Sequence, residues 1–170
     1  AEPTETQYIV ELAQLLMMAK RPKEAKEQLE KATKAKGYVW FETGDYNFNL
    51  ISVRTTDSDA VTNKFDDRMT LTYKVNGQWV TKSWPITTDP GKTQVVNYQN
   101  SLGVARLKPG QYRGSHALGK HKGKYEALVQ VKNVTVYRDK NKDMTYDEST
   151  TSTGLYGINI HKAGTNSENV

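Results

Sequence analysis

Three histidines, one acidic loop and one basic run hold most of the chemistry this chain could perform. His116 and His121 lie five residues apart. On a strand that spacing turns their rings to opposite faces, which disfavours a shared metal ion. His161 ends the stretch Gly154-Leu155-Tyr156-Gly157-Ile158-Asn159-Ile160-His161, which reads as a strand delivering an imidazole to a loop containing Gly164. An imidazole so placed can act as a general base; a purely structural histidine is the plainer alternative. Asp139, Asn141 and Asp143 set oxygen donors at alternate positions, with Asp147 at a further suitable offset, as in a calcium loop. Met144 stands where such a loop needs glycine, and Thr150 where it needs a closing glutamate. The competing reading is a hydrophilic loop whose Asp and Asn side chains cap turns. Calcium is the one cofactor these spacings raise. From Arg106 to Lys124 the chain carries Arg106, Lys108, Arg113, Lys120, Lys122 and Lys124, with His116 and His121 and no acid. Such a run attracts carboxylates or phosphates, or is simply a solvated face. No nucleic-acid motif accompanies it, and Tyr112 and Tyr125 alone make no stacking platform. Ser115 and Ser167 lie in polar, loop-like sequence with no evident oriented base.

These residues have to be positioned by a chain of 170 residues that is 36% hydrophobic and 25% charged, with a net charge of +5. That length suits one medium domain, or a domain with a small appendage. There is no cysteine, which excludes disulfides, zinc-thiolate sites and thiol nucleophiles within these residues. The longest apolar run, Leu15 to Ala19, is far short of the ~20 residues that span a bilayer. The opening Ala1-Glu2-Pro3-Thr4-Glu5 lacks the basic region of a signal peptide.

Residues 1–37 read as a helical hairpin. Thr4 and Gln7 form a capping box, and Ile9, Leu12, Leu16 and Ala19, joined by Tyr8 and Leu15, follow the helical period. Pro22 suits the first turn of the next helix, whose narrow stripe is Ala25, Leu29, Ala32 and Ala35. Gly37 is placed to end it in a left-handed cap. So little apolar surface calls for packing on the rest of the chain or, in preference, on a partner. Residues 38–170 are β-rich. Strands are expected at Phe48–Arg54, Met69–Val75, Gln78–Trp84, Gly103–Leu107, Glu126–Val131, Val134–Arg138 and Tyr156–His161. Asn76-Gly77 supplies a hairpin turn, Pro85 marks a strand end, and Met69, Leu71, Tyr73 and Val75 alternate as the apolar side of a half-buried strand. The expected fold class is α+β, mainly β.

Several pieces in order carry a resemblance: the Met69–Trp84 hairpin, Pro85-Ile86-Thr87-Thr88-Asp89-Pro90-Gly91, Leu107-Lys108-Pro109-Gly110-Gln111-Tyr112, and Gly157-Ile158-Asn159-Ile160-His161. Together, over about Phe48 to Gly164, they resemble the L,D-transpeptidase catalytic domain of peptidoglycan enzymes, and more loosely wall-active proteins encoded by phages. The resemblance implies a β-sandwich or barrel and Cys-His acyl transfer on peptidoglycan stem peptides. His161 would be the general base, and Arg106, Lys108, Arg113, His116, His121, Tyr156 and Asn159 would hold substrate. In the family a Ser-x-Gly-Cys element follows the histidine, at a spacing that runs beyond Val170, and Lys162 stands where glycine is usual. Either the chain is incomplete at its C-terminus, or the cysteine strand comes from another polypeptide, or the fold is kept and the activity lost. In each case it is expected to be inactive alone, and incompleteness would leave an open strand edge at Tyr156–His161. The cell envelope, the extracellular space or a phage virion is the expected setting. Two other functions compete. One is a non-catalytic structural or adaptor component of a virion or surface assembly, docking through the helical hairpin or the C-terminal strand edge. The other is a wall-binding β module using Trp40, Trp79 and Trp84, although the spacing of Trp79 and Trp84 turns them to opposite faces.

Overall fold

The computed structural model describes residues 5–54, 64–97 and 100–163. The capping box at Thr4, the loop glycine Gly164 and Ser167 lie outside these residues. The architecture is α+β and mainly β: among the described residues there are three helices and three separate three-stranded antiparallel sheets, and no sheet closes into a barrel. No helix among them is long and apolar enough to cross a membrane. The chain forms two compact units, residues 1–55 with 66–86, and residues 56–65 with 87–170.

The first unit holds α1 (Glu5–Met18), α2 (Pro22–Ala35), β1 (Asn49–Val53), β2 (Asp67–Val75) and β3 (Gln78–Ile86). Both helices end in paired hydrogen bonds that close around one left-handed residue. Lys20, at φ 57°, donates to the Met17 carbonyl while Arg21 donates to Leu16; Gly37, at φ 73°, donates to Lys34 while Tyr38 donates to Thr33. Pro22 opens α2, whose buried face is Ala25, Leu29 and Ala32. Residues 1–37 are not a compact unit by themselves. Ala13 and Leu29 close on Trp40, and Ile51 and Trp79 pack against that cluster, because two narrow helical stripes bury too little without a sheet beneath them. The Asn76-Gly77 turn has φ 50° and 74°, the two positive values of a type I′ hairpin. Pairing runs on through Pro85 to Ile86, which β3 tolerates as an edge strand.

The burial of β2 is the reverse of what its alternation predicts. Thr70 and Thr72 are buried, while Met69, Leu71, Tyr73 and Val75 are half-buried. Thr70 pairs with Ile51 in the ladder, and Ile51 belongs to the side packed on the hairpin core. The hydroxyls are satisfied across the strands, Thr70 to Ser83 at 3.3 Å and Thr72 to Thr81 at 3.1 Å, so their burial costs little.

The second unit holds α3 (Lys92–Val96), β4 (Ala105–Leu107), β5 (His116–His121), β6 (Tyr125–Gln130), β7 (Val134–Arg138), β8 (Asp147–Gly154) and β9 (Ile160–His161). One sheet is ordered β4-β7-β8 and the other β5-β6-β9. Val134, Val136, Tyr137 and Tyr146 are buried, with Val104 packed on the two tyrosines. The strand expected over Tyr156–His161 is shortened to two ladder residues, because the backbone before it bonds to side chains instead.

Candidate functional site

The most concentrated chemistry lies on the β5-β6-β9 sheet. The β5–β6 turn, with Lys122 and Gly123 at φ 50° and 71°, brings Tyr125 opposite His121. On the other side of β6, His161 pairs with Ala127. The His121 and His161 rings stack with centroids 4.0 Å apart, and Tyr125 lies 5.5 Å from the first and 5.8 Å from the second. Gly119 and Ala127 lie beside His161 in the register, and the space at Gly119 is taken by Val129, whose Cγ2 would meet an added Cβ at 2.8 Å.

Hydrogen bonds fix which ring nitrogen carries each proton. The Asn159 Oδ1 accepts from the Gln130 backbone N–H at 2.9 Å, so its Nδ2 faces His121 Nδ1 at 3.2 Å as the donor. Neutral His121 is thus protonated on Nε2. His161 Nδ1 lies 2.8 Å from the Lys162 carbonyl, which can only accept. That nitrogen therefore carries the proton and leaves the lone pair of His161 on Nε2, the arrangement a general base needs. The Tyr125 hydroxyl is 3.3 Å from the same Nδ1, and Lys162 Nζ lies over the Tyr125 ring. Burial, then the charges of His161 and Lys122, hold His121 below the usual imidazole range.

The backbone leading to His161 is clamped by one side chain. Gln130 Oε1 accepts from the amides of Tyr156 and Ile158, both at 3.0 Å, and its Nε2 donates to the carbonyls of Gly154 and Lys132, both at 2.9 Å. With every valence of that amide used, residues 154–159 follow a side-chain template rather than a ladder. Gln130 and Tyr125 carry no motif in the sequence; the only signal for them is Gly123 in a short polar stretch between β-like segments.

The remaining expected residues divide. His121 stacks on His161 directly, and Asn159 joins them through its hydrogen bond to His121. His116 lies nearby but contacts different groups, with Nε2 2.7 Å from the Ile158 carbonyl and Nδ1 2.9 Å from the Ser115 hydroxyl. Ser115 therefore does have an oriented histidine beside it. It is buried, however, and its single proton is shared between His116 and the Tyr112 carbonyl at 2.9 Å. Tyr156 is half-buried beneath the Arg138 guanidinium, 4.9 Å from its ring. Arg106 is not a surface cation: it is 2% exposed, paired with Glu148 at 3.0 Å and stacked over Tyr146 at 4.2 Å. Lys108 lies over Tyr137 in the same β4-β7-β8 region, and Arg113 is exposed in the loop before β5. Only the end of the basic run, Lys120 to Lys124, borders the histidine pair.

The acidic loop follows the turn-capping alternative. Buried Asp139 accepts from the amides of Asp143 and Met144 at 3.0 and 3.1 Å, which supports Met144 at φ 68°. Asn141 donates to Asp143. Asp147 caps Ser149 and Thr150, and those bonds lower its pKa. Among the described residues no three acidic, cysteine or histidine side chains are grouped to hold a metal ion. Of the tryptophans, Trp40 and Trp79 pack together at 6.0 Å in the core of the first unit, so they offer no shared stacking surface with the exposed Trp84. No protein-family model matches the chain, and neither does any curated protein or solved structure.

Proposed function

We propose that the β5-β6-β9 sheet forms the base and recognition half of an L,D-transpeptidase-like acyl-transfer site for peptidoglycan stem peptides. One observation carries this reading: His161 holds its Nε2 lone pair at an exposed sheet edge, inside a cluster of His121, Tyr125 and Asn159. In the proposed reaction, Nε2 takes the proton of an attacking thiol and later returns one to the leaving amine. The 170 residues contain no cysteine, so the thiol is a group supplied from outside them. Lys120, Lys122, Lys124 and Lys162 attract the carboxylates of a stem peptide by Coulomb forces.

The test is a titration of the chain with a tetrapeptide stem, followed through the imidazole and Tyr125 resonances. Shifts at His121, His161 and Tyr125 are expected, and their absence at millimolar ligand would overturn the reading. A version of the chain carrying a downstream Ser-x-Gly-Cys element is expected to turn over stem peptides, and His161→Ala to abolish that turnover.

A further inference from the structure

Helix α1 has two apolar faces, and the hairpin uses only one. Ile9, Ala13 and Leu16 are buried. Tyr8, Leu12 and Leu15 are 57%, 45% and 61% exposed, Ala19 is exposed, and Met18 flanks them at 69%. Positions 8, 12, 15 and 19 are spaced four, three and four residues apart, the seam of a coiled coil. A surface helix needs one apolar stripe, and a second contiguous one marks an interaction surface.

We infer that this seam pairs with the same seam of a second copy of this chain, antiparallel and about a two-fold axis. This inference is independent of the His161 reading. The charges at the two ends of the seam choose the occupant and its direction. Glu5, with a side chain 86% exposed and 3.9 Å from Lys31, stands at one end. At the other stand Lys20 and Lys23, with Arg21 already paired to Glu24, so that end stays net basic. An antiparallel copy sets Leu12 against Leu15 and Tyr8 against Ala19, bringing Glu5 to the basic end of its partner and opposing the helix dipoles. A parallel copy would set like charges together. The two-fold makes one patch complementary to itself. Within the given sequence, residues 1–4, 55–63, 98–99 and 164–170 contribute only Val61, Tyr98 and Val170 as large apolar side chains, too few to match the seam. One helix pair falls at the small end of specific interfaces, so association is expected to be weak and concentration-dependent.

Sedimentation of the chain from ~1 µM to ~1 mM is expected to show a monomer–dimer equilibrium. Leu12→Glu combined with Leu15→Glu should weaken it at least about tenfold while circular dichroism stays unchanged, since both side chains are exposed. Leu15→Ala, which adds no charge, should weaken it in the same direction. Because the chain lacks cysteine, Tyr8→Cys and Ala19→Cys proteins can be mixed and oxidised, and the mixed disulfide should outnumber both like pairs. A monomer throughout, a dimer indifferent to the seam substitutions, or a preponderance of like pairs would each overturn the inference.

Discussion

The β1-β2-β3 sheet and the β5-β6-β9 sheet both place a strand on an edge, by different means. In the first, β2 and β3 pair over nine residues around a type I′ turn, and the hydroxyls between them bond to one another. In the second, β9 has two ladder residues, and its approach is held by Gln130, Asn159 and the stacked histidines. A long ladder spreads its free energy over many backbone groups. A clamp concentrates it in one or two side chains and leaves the segment able to open locally. Of the residues with chemistry, His161 and Asn159 sit on the clamped segment, and His121 and Tyr125 on the β5–β6 hairpin beside it.

The largest effect that follows from this contrast lies in the first unit. Trp40→Ala removes the centre of the Ala13, Leu29 and Trp40 cluster together with its contact to Trp79, and a truncation of this kind costs about 3–5 kcal/mol. Urea unfolding monitored by far-ultraviolet circular dichroism should show it. A loss below about 1 kcal/mol would mean the helices do not depend on that core. Next is Gln130→Ala, which strands the amides of Tyr156 and Ile158 and the carbonyls of Gly154 and Lys132, a cost of about 2–3 kcal/mol. Amide exchange should accelerate at residues 156 and 158 and leave the β2–β3 amides unchanged. Equal acceleration in both sheets would erase the contrast.

The sequence discloses the ladder far better than the clamp. Asn-Gly, the Pro22 start and the Gly37 stop are local signals, because one residue's φ preference decides each. The buried side of β2 was not legible: alternation says which residues share a face, but the neighbours decide which face is covered, and here Ile51 and Trp79 brought the threonines inward. β5 and β8 lack apolar alternation, and β8 is almost wholly exposed, so only pairing defines them. At the site, His161, His121 and Asn159 could be named from residue type. Tyr125 and Gln130 could not, since their roles come from a register and from contacts 24 to 36 residues apart in sequence. Arg106 was misplaced for a similar reason: a run of like charges does not reveal that one member turns inward onto Glu148 and Tyr146.

A smaller prediction sharpens the ladder side. Asp45 accepts from the amides of Asn76 and Gly77 at 2.6 and 3.0 Å, a cap on the hairpin turn itself. Asp45→Ala should cost about 1 kcal/mol, as other exposed capping side chains do, and raise exchange at those two amides alone. If the turn is indifferent to Asp45, the type I′ geometry is sufficient by itself.

The smallest expected effect is on the clamp side and depends on pH. His121 Nδ1 accepts from Asn159 Nδ2, whose orientation is set by the Gln130 amide. A proton on Nδ1 would meet that donor, in a half-buried position already facing His161 and Lys122, and burial is the largest cause of the lowered pKa. The folded protein therefore binds fewer protons at this site than the unfolded chain. Between the ordinary value near 6.5 and the lower folded one, stability falls as pH falls, and above 6.5 it is fully present. Thermal melts from pH 7.5 to pH 5 should show this downward slope, and amide exchange at residues 158–161 should rise with it. His121→Gln keeps a polar acceptor and cannot ionise, so it should remove this part of the slope and leave the melting temperature at pH 7.5 nearly unchanged. If wild type and His121→Gln lose stability in parallel, the acid sensitivity resides elsewhere and the stacked pair is only a packing contact. A slope confined to the β5-β6-β9 amides would instead mark the strand bearing His161 as the part that yields first to acid.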